Sequence, residues 1–334
     1  MNAAATLSQN DTDWSDGISV IVPTYKRPDD VIRALKSVVN QNTQGRAYEI
    51  IVADNDPEAS ARDAIQAFIK TQPQTDIIYT HVPEPGVSNA RNGAHKLQRG
   101  RFVIYLDDDM EAHKNWVCEL VSASLKNDAE IVFGPVIAQM PDENNPLYEH
   151  MITLFSRTGD FENGYISKTF GTGGCLIDHG KAKLPSPLFD PTLNEVGGED
   201  DAHFSHILKM GGRIAWTNQA NAIEHIPTHR ATASYIWKRN FAFGQGPTQN
   251  AADQGWRGAP QVLKWMVVGT LQAIIRLPIY AFEKFSGNPQ YIHSYGLLSQ
   301  AIGKIFWFSG FSPRLYGATS VQKPTVISPN KQTS

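Results

Sequence analysis

The stretch Arg101-Phe-Val-Ile-Tyr-Leu-Asp-Asp-Asp-Met110 joins an unbroken apolar run to three consecutive carboxylates. Residues 102–106 are β-branched, aromatic or otherwise apolar, which is typical of a strand buried on both faces of a parallel sheet. Ligands of α/β sheets bind beyond the carboxyl ends of the strands, so the aspartates are predicted to lie at a binding edge. Because side chains alternate along a strand, Asp107 and Asp109 are expected on one face and Asp108 on the other.

Two carboxylates on one face repel each other unless a cation or a proton lies between them. Oxygen ligands of this kind suit Mg²⁺ or Mn²⁺, which bind through one or two carboxylates together with substrate phosphates. An acidic turn that caps the next helix is the structural alternative. The triplet taken alone leaves both interpretations open.

Strands and helices alternate along the first part of the chain. Strands are predicted at residues 18–25, 48–53, 77–82, 102–106 and 130–138. Their spacing is that of βαβ units, so the pattern predicts an α/β fold with a doubly wound, mainly parallel sheet. The first strand is followed by Pro23-Thr-Tyr-Lys-Arg-Pro28, which contains no glycine. A dinucleotide fingerprint and a P-loop are therefore both absent at that position.

A second group of acids follows two glycines, in the segment Glu195-Val-Gly-Gly-Glu-Asp-Asp201. The pattern predicts that Glu199, Asp200 and Asp201 occupy the first turn of a helix. Acids are common there because they stabilise the helix dipole, so a purely structural role is the alternative.

The two ends of the chain differ from its body. Residues 1–17 are small, polar and acidic, which predicts a disordered leader and not a signal peptide. From residue 260 onward seven basic residues stand against one acidic residue, and residues 265–275 and 297–311 are apolar runs. Neither run reaches the ~18 to 20 residues that span a bilayer, and Pro278 interrupts the extension of the first.

Residues 251–315 are therefore predicted to form amphipathic helices that lie on an anionic membrane surface. A helical pair that closes the protein core is the alternative. Residues 316–334 are predicted to be a disordered tail. The remainder of the chain is acidic, which argues against nucleic acid as a partner.

Six short motifs occur in the order found in family 2 glycosyltransferases. They are Val22-Pro-Thr-Tyr-Lys-Arg27, Val52-Ala-Asp-Asn-Asp56, Ala90-Arg-Asn92, Leu106-Asp-Asp-Asp109, Gly198-Glu-Asp200 and the segment from Arg239 to Gln245. The chain most closely resembles the glucosyltransferases that extend lipid-linked repeat units of succinoglycan-type bacterial exopolysaccharides. The resemblance covers about residues 18–245. It implies a GT-A-like fold with a nucleotide-binding half at residues 18–138 and an acceptor half at residues 139–250.

The resemblance also implies roles for single residues of the nucleotide site. That site would consist of Pro23, Tyr25, Arg27, Asp54, Asp56, Arg91 and Asp107. Asp54 would accept a hydrogen bond from the uracil ring, and Pro23 and Tyr25 would shape the base pocket. Arg91 would lie near the diphosphate and supply the positive charge that no glycine-rich loop supplies here.

The remaining assignments concern the metal and the base. Asp109 would coordinate Mg²⁺ or Mn²⁺, Asp107 would lie near the ribose and assist, and His225 would be an additional metal or phosphate contact. Asp200 matches the general base of the family, which deprotonates the acceptor hydroxyl as it attacks the anomeric carbon. Glu199 and Asp201 compete for that role, because spacing cannot rank three neighbouring acids.

The resulting hypothesis is an inverting, metal-dependent transfer of a hexose, with glucose expected, from a UDP-sugar to a lipid-linked glycan. The reaction would take place at the cytoplasmic face of the bacterial inner membrane. The Gln-x-x-Arg-Trp signature of processive synthases is absent, which favours addition of a single sugar. Two alternatives come from other classes: a sugar-1-phosphate nucleotidyltransferase, which normally needs a glycine-rich loop after the first strand, and a non-catalytic nucleotide-sugar-binding or membrane-docking protein.

Overall fold

The computed structural model describes residues 12–194 and 197–313. Its strands are β1 (Ile18–Thr24), β2 (Tyr48–Asp54), β3 (Asp76–His81), β4 (Phe102–Tyr105), β5 (Met110–Ala112), β6 (Ile131–Phe133), β7 (Val136–Gln139), β8 (Gly164–Ile166), β9 (Cys175–Asp178), β10 (Ile214–Trp216) and β11 (Ala222–His225). Its α-helices are α1 (Pro28–Val38), α2 (Arg62–Lys70), α3 (Val87–His95), α4 (Trp116–Asn127), α5 (Tyr148–Phe155), α6 (Glu199–Lys209), α7 (Ala233–Ala252), α8 (Ala259–Phe285) and α9 (Tyr291–Ile305).

An eight-stranded sheet forms the centre of the described chain, in the order β3-β2-β1-β4-β9-β6-β10-β8. Strands β3, β2, β1 and β4 are parallel, and β9 runs antiparallel to both of its neighbours, β4 and β6. A three-stranded sheet of β5, β11 and β7 lies beside it. This arrangement confirms the predicted α/β fold with a GT-A-like, mainly parallel sheet. It also brings the end of β4 next to the end of β1 and the start of β9.

The parallel strands form where the sequence is apolar without interruption. Every residue of β1 and of β4 is buried, so side chains from both faces of the sheet are covered by helices. Helix α1 begins at Pro28, which tolerates the first helical position, and Asp29 and Asp30 follow in the first turn. The helix buries Val31, Leu35 and Val38 on one face, because residues three and four apart lie on the same side of a helix.

The predicted strand at residues 130–138 is wrong in one respect, because it is two strands in two sheets. Strand β6 belongs to the large sheet and β7 to the small one. Gly134 and Pro135 separate them. The backbone carbonyl of Ala220 packs so closely against Gly134 that a Cβ there would overlap it, and proline cannot donate a ladder hydrogen bond.

The interpretation of the C-terminal apolar runs also requires a correction. Residues 265–275 are part of α8, a continuous helix of 27 residues that contains Pro278. The segment Gly255–Phe285 is long and apolar enough to cross a membrane, and only 6% of its most apolar window is buried. The prediction that neither apolar run reaches the length of a membrane span is therefore wrong for the first run, because Pro278 lies within α8 without ending the helix.

The two C-terminal helices differ in their packing. Helix α9 lies against α7 and buries about every second residue of its length, including Ile292, Leu298 and Ala301. Helix α8 has one buried residue, Gly269, and packs against α9. Most of the predicted leader, residues 1–17, and all of the predicted tail, residues 316–334, lie outside the described residues.

Candidate active site

The aspartate triplet lies at the carboxyl end of β4, beside the end of β1. Strand β4 ends at Tyr105, and Asp108 and Asp109 already form a turn. Asp108 accepts hydrogen bonds from Thr24 Oγ1 at 2.9 Å and from Arg27 Nη1 at 2.9 Å, and the same Arg27 nitrogen lies 3.0 Å from Asp109 Oδ2. The predicted alternation is therefore wrong. Asp108 and Asp109 share one arginine because the triplet has left the pleated strand.

Asp107 faces the other way, toward Arg91 of α3. Arg91 is 3% exposed, and its Nη2 lies 3.5 Å from Asp107 Oδ1. Its Nη1 donates to Glu199 Oε1 at 3.1 Å and to Asp200 Oδ1 at 2.8 Å. A single buried guanidinium thus joins the triplet to the acids of α6, which follow it by about 90 residues in the sequence.

Helix α3 is held in place by the segment that precedes α6. Asn92 exchanges two hydrogen bonds with the backbone of Phe189, at 2.7 and 2.9 Å. Asn194 accepts a hydrogen bond from the backbone N–H of Ser88 at 2.8 Å. The Phe189 ring lies 5.2 Å from the Arg91 guanidinium carbon, within the range of a cation–π contact. These contacts fix the position of the shared cation.

The acids of α6 begin directly after two glycines. Gly197 and Gly198 have φ angles of +82° and +92°, which a residue with a Cβ rarely adopts. Asp200 accepts hydrogen bonds from Thr172, through the backbone N–H at 2.9 Å and through the hydroxyl. Asp201 lies on the exposed side of the helix. Of the three competing acids, Glu199 and Asp200 therefore face the cluster.

Neighbouring charges give adjacent carboxylates different proton affinities. Burial raises the pKa of Asp107 against the opposing effect of Arg91, and raises the pKa of Asp108 to about 7 against Arg27. Burial and the charge of Asp200 raise the pKa of Glu199 to about 7. Burial alone would raise the pKa of Asp200 too, but Arg91 and Thr172 hold it below its usual value.

Asp54 lies at the carboxyl end of β2 and is fully buried. Its carboxylate accepts hydrogen bonds from the backbone of Asp56 and Ala61, at 3.2 and 3.1 Å, and from Tyr79 Oη at 3.2 Å. Asp56 is also buried, and its carboxylate lies 3.9 Å from Lys26 Nζ. Asp54 is therefore held by three donors, and Asp56 is buried beside one cation.

Pro23 and Tyr25 flank Thr24 at the end of β1. Pro23 is buried within the strand, and Tyr25 is partly exposed in the turn that follows. The ammonium group of Lys26 lies 5.3 Å from the centre of the Tyr25 ring. This turn lies at the same edge of the sheet as Asp54, because Thr24 and Asp54 are register partners in the β1–β2 pair.

His225 lies next to the triplet through its backbone. Its N–H donates to the carbonyl oxygen of Asp109 at 2.8 Å, while its ring Nε2 lies 2.6 Å from Glu111 Oε1. No group of three His, Cys, Asp or Glu side chains in residues 12–194 and 197–313 converges as a complete metal cage would. The predicted contact of this ring with a metal therefore competes with Glu111.

The donor set nevertheless fits a divalent cation that completes its coordination with phosphates and water. Such an ion needs only one or two carboxylates from the protein. Asp107 and Asp109 offer hard oxygen atoms, and the raised pKa of Asp107 reflects negative charge that burial penalises. Asp107 keeps 36% of its side chain exposed, so a ligand can reach it.

Four residues of the site were absent from the sequence-based assignment. Arg157 donates to Glu224 Oε2 at 3.0 Å and to the carbonyl of Gly173, and Arg230 lies 3.8 Å from Asp109. Thr172 holds Asp200. The four residues are Arg157, Thr172, Glu224 and Arg230. Only Thr172 lies in a segment with a local sequence signal, Gly171-Thr-Gly-Gly174, and a glycine cluster of this kind more often marks a tight turn than a ligand loop.

Comparisons with known proteins bear out the family that the motifs indicate. The sequence model of the family described as Glycosyl transferase family 2 matches residues 19–180. The succinoglycan biosynthesis protein ExoM of Rhizobium meliloti (strain 1021) is 33% identical over 236 residues, which cover 68% of this chain and 73% of that protein. The putative teichuronic acid biosynthesis glycosyltransferase TuaG of Bacillus subtilis (strain 168) is 31% identical over 230 residues, which cover 68% of this chain and 85% of that protein.

More distant proteins cover a similar share of the chain. The glycosyltransferase AglE of Haloferax volcanii is 24% identical over 241 residues, covering 70% of this chain and 73% of that protein. Among solved structures, residues 1–349 of S. aureus TarS align with a TM-score of 0.49 at 14% identity, covering 86% of this chain and 90% of that one. The sequence relatives are therefore the stronger guide to function.

Proposed function

Because this chain belongs to glycosyl transferase family 2, we propose that it transfers a hexose, with glucose favoured, from a UDP-sugar to a lipid-linked glycan. The product would enter an exopolysaccharide or another cell-surface polysaccharide. The observation that carries the proposal is the buried Arg91, which contacts Asp107 on one side and Glu199 and Asp200 on the other. A transferase must hold a donor and an acceptor together, and this cation joins the two acidic groups that would do so.

The donor would lie along the ends of β1, β2 and β4. Asp54 would accept a hydrogen bond from the uracil ring, beside Pro23 and Tyr25, with Asp56 and Arg27 completing that edge. Arg91 would attract the diphosphate, since its guanidinium stays charged at any physiological pH. The shared edge of the sheet supports this proposal, because the ends of β1, β2 and β4 are neighbours there.

A divalent cation would be held by Asp109 and Asp107, with His225 close to it. When bound, Mg²⁺ or Mn²⁺ would neutralise the charge of the departing nucleoside diphosphate. The protein's own cations contribute in the same direction. Arg27 and Arg230 lie 3.0 and 3.8 Å from Asp109, so they limit the repulsion within the triplet.

Asp200 would act as the general base. Its lowered pKa keeps the carboxylate ionised, so that it can take the proton of the acceptor hydroxyl. The acceptor oxygen would then form a bond to the anomeric carbon, while the bond from that carbon to the UDP oxygen breaks on the opposite face. The electron pair of the broken bond leaves with UDP, and the configuration of the sugar inverts. Glu199, with a pKa of about 7, is the competing base.

A comparison of Asp109→Asn with Asp200→Asn tests this assignment. We expect Asp109→Asn to lose the Mn²⁺-dependent part of UDP binding, measured by calorimetry with and without EDTA. Asp200→Asn should bind UDP as the wild type does and transfer glucose from UDP-glucose to a lipid extract of the source cell at only a small residual rate. Normal turnover by Asp200→Asn would exclude it as the base.

We further propose that α8 attaches the protein to the cytoplasmic face of the bacterial inner membrane. The helix exposes large apolar side chains, among them Leu271, Ile274, Phe282 and Phe285, the last of which is 91% exposed. Such a face gains free energy when it enters the boundary between headgroups and acyl chains, and nearby lysine and arginine residues favour anionic lipids. Because α8 packs on α9 along one side, it would lie in the membrane surface and leave the body outside.

Liposome sedimentation tests the attachment. We expect the double variant Ile274→Glu/Phe282→Glu to lose most of its partition onto vesicles with anionic lipid. The matched control is Leu97→Glu/Leu125→Glu, which places the same charges on exposed apolar residues of the body. Equal partition of the two double variants would show that α8 is not the attachment site.

A further inference from the structure

Residues 171–174, Gly-Thr-Gly-Gly, form a short connection that we call the glycine strap. It leads into β9, whose first residue pairs with Tyr105, the last residue of β4. The strap therefore crosses the carboxyl end of β4, directly beside the aspartate triplet. The backbone N–H of Gly174 donates to the carbonyl of Tyr105 at 2.7 Å, which ties the strap to that edge.

The strap holds Asp200 through one residue. Thr172 is fully buried, and its backbone N–H donates to Asp200 Oδ2 at 2.9 Å while its hydroxyl donates to Asp200 Oδ1. Each carboxylate oxygen thus has its own donor from Thr172. Arg91 reaches only Oδ1, at 2.8 Å.

The strap is in turn held by Arg157, which follows α5. Its Nη1 donates to the carbonyl oxygens of Gly173 and, at 3.5 Å, of Gly171, on either side of Thr172. Its Nη2 donates to Glu224 Oε2 of β11 at 3.0 Å. Glu224 is partly buried, with 15% of its side chain exposed, and this ion pair holds the other end of the Arg157 guanidinium.

We propose that Thr172 is the positioning residue of the acceptor base and that Arg157 holds it in place. The inference rests on the proposed role of Asp200. A carboxylate beside an arginine tends to rotate into a bidentate ion pair, in which both carboxylate oxygens face the guanidinium group. The two hydrogen bonds from Thr172 fix the carboxylate plane and oppose that rotation. One lone pair then stays directed toward the acceptor, and an error of about 1 Å in such a position costs roughly 100-fold in rate.

The experiment uses the full chain, UDP-glucose with Mn²⁺ and a lipid extract of the source cell. We expect Thr172→Val, which keeps the shape and loses the hydroxyl, to lower kcat about 10- to 100-fold. The donor KM and the Kd of UDP should stay within about twofold, because the donor edge is untouched. Thr172→Ser restores the hydroxyl and should recover kcat to within about threefold. If Thr172→Val does not fold, Thr172→Ala replaces it with the same expectations.

A matched control separates positioning from general stability. Thr248 of α7 is also fully buried, and its hydroxyl donates to the carbonyl of Lys304 at 3.0 Å, away from both acidic groups. Thr248→Val should lower Tm about as much as Thr172→Val and leave kcat unchanged. A second readout is the dependence of kcat on pH. Because the hydrogen bonds from Thr172 lower the pKa of Asp200, Thr172→Val should move the acidic limb of this profile to higher pH.

The double variant Thr172→Val/Asp200→Asn decides whether Thr172 acts through Asp200. If it does, the double variant is no slower than Asp200→Asn alone. The inference is overturned if Thr172→Val keeps kcat within threefold, or if it slows the Asp200→Asn enzyme by the factor seen in the wild type. If Asp200→Asn itself turns over normally, the base assignment fails, and this inference fails with it. An inactive Asp200→Asn beside an active Thr172→Val would refute the positioning role alone.

Discussion

The two acidic groups of the site, the triplet Asp107–Asp109 and the pair Glu199–Asp200, share one arginine but are built differently. The triplet lies in a turn after a strand, and cations from separate loops, Arg27 and Arg230, contact it. The pair lies in the first turn of a helix and receives two neutral hydrogen bonds from Thr172. Both groups contain buried or partly buried carboxylates, yet the pKa values of Asp107, Asp108 and Glu199 are raised while that of Asp200 is lowered.

The difference shows that neighbours, and not sequence position, decide which carboxylate stays ionised. In the triplet, burial dominates, and the pKa of Asp107 and of Asp108 rises despite the nearby arginines. In the pair, Asp200 gains the hydrogen bonds that favour its charged form, while Glu199 experiences the charge of Asp200 in addition to burial. The triplet therefore suits a bound cation, and the pair supplies one ionised base.

Removal of the shared arginine should have the largest effect, because both groups depend on it. We expect Arg91→Gln to lower kcat/KM by more than about 1000-fold and to cost roughly 3 kcal/mol of folding free energy, since it removes the buried cation that three partly buried carboxylates share. Arg91→Lys keeps the charge but cannot bridge three carboxylates, so it should restore stability more than activity. Kinetics and urea unfolding measure the two effects.

Arg101→Gln is the matched control for this variant. Arg101 pairs with the buried Asp178 at 2.7 and 2.8 Å, at the opposite end of β4 from the triplet. It should lose stability and keep kcat/KM. If Arg91→Gln shows only the stability loss of Arg101→Gln, the two acidic groups do not function as one site.

The donor side alone should be disturbed by Gly173→Ala. A Cβ at Gly173 would overlap Oδ2 of Asp107, and its three nearest atoms all belong to the Asp107 carboxylate, so we expect Asp107 to move and Thr172 to keep its position. We expect the donor KM to rise about 10-fold or more, with a smaller change in kcat. Gly246→Ala is the control, because a Cβ there meets nothing within 4 Å. A change in kcat without a change in donor KM would contradict the division between the two groups.

The sequence predicted those features of the two acidic groups that local patterns determine. A buried apolar run that ends in acids predicts a strand that delivers charge to a sheet edge, and two glycines before acids predict a helix start. The alternation of Asp107, Asp108 and Asp109 was wrong because the end of β4 is set by its partners. Its last residue pairs with Ile21 and Cys175, which are distant in sequence.

The remaining residues could not be predicted because their contacts are long-range. Thr172 lies 28 residues from Asp200, and Arg157 lies 67 residues from Glu224. Neither pair leaves a periodic pattern. Helix α8 illustrates another limit, since a proline within an apolar run predicts a break, whereas the helix continues through Pro278. The roles assigned to the site residues came from the order of six motifs, and they stay predictions until the variants are measured.

Within the pair, Glu199→Gln should separate stability from catalysis. A carboxyl whose pKa rises on folding contributes stability that is fully present below its ordinary value of 4.5 and is lost as the pH rises through about 7. Glutamine stays neutral, so the variant does not lose this stability. From pH 5 to pH 8, its free energy of unfolding should therefore rise by about 1 to 3 kcal/mol relative to that of the wild type. Urea unfolding at both pH values measures this gain.

The same variant should lower kcat less than about 10-fold if Asp200 is the base. A loss of more than about 1000-fold with unchanged UDP binding would make Glu199 the base instead. Asp201→Asn, on the exposed side of the same helical turn, is the control and should change neither activity nor the pH dependence of stability by as much.

The smallest effect is expected within the triplet, for Asp108→Asn. Asp108 has a pKa of about 7, so its neutral form is already well populated at physiological pH, and asparagine resembles that form. The amide oxygen can still accept the hydrogen bond from Thr24 Oγ1. Stability should therefore change by less than about 1 kcal/mol, and kcat/KM by less than about 10-fold. The Mn²⁺ affinity of this variant, measured by calorimetry beside that of Asp109→Asn, gives the sharper test. If Asp108→Asn loses as much Mn²⁺ affinity as Asp109→Asn, Asp108 is itself a ligand of the cation. Its hydrogen bond with Arg27 would then hold a metal ligand in place.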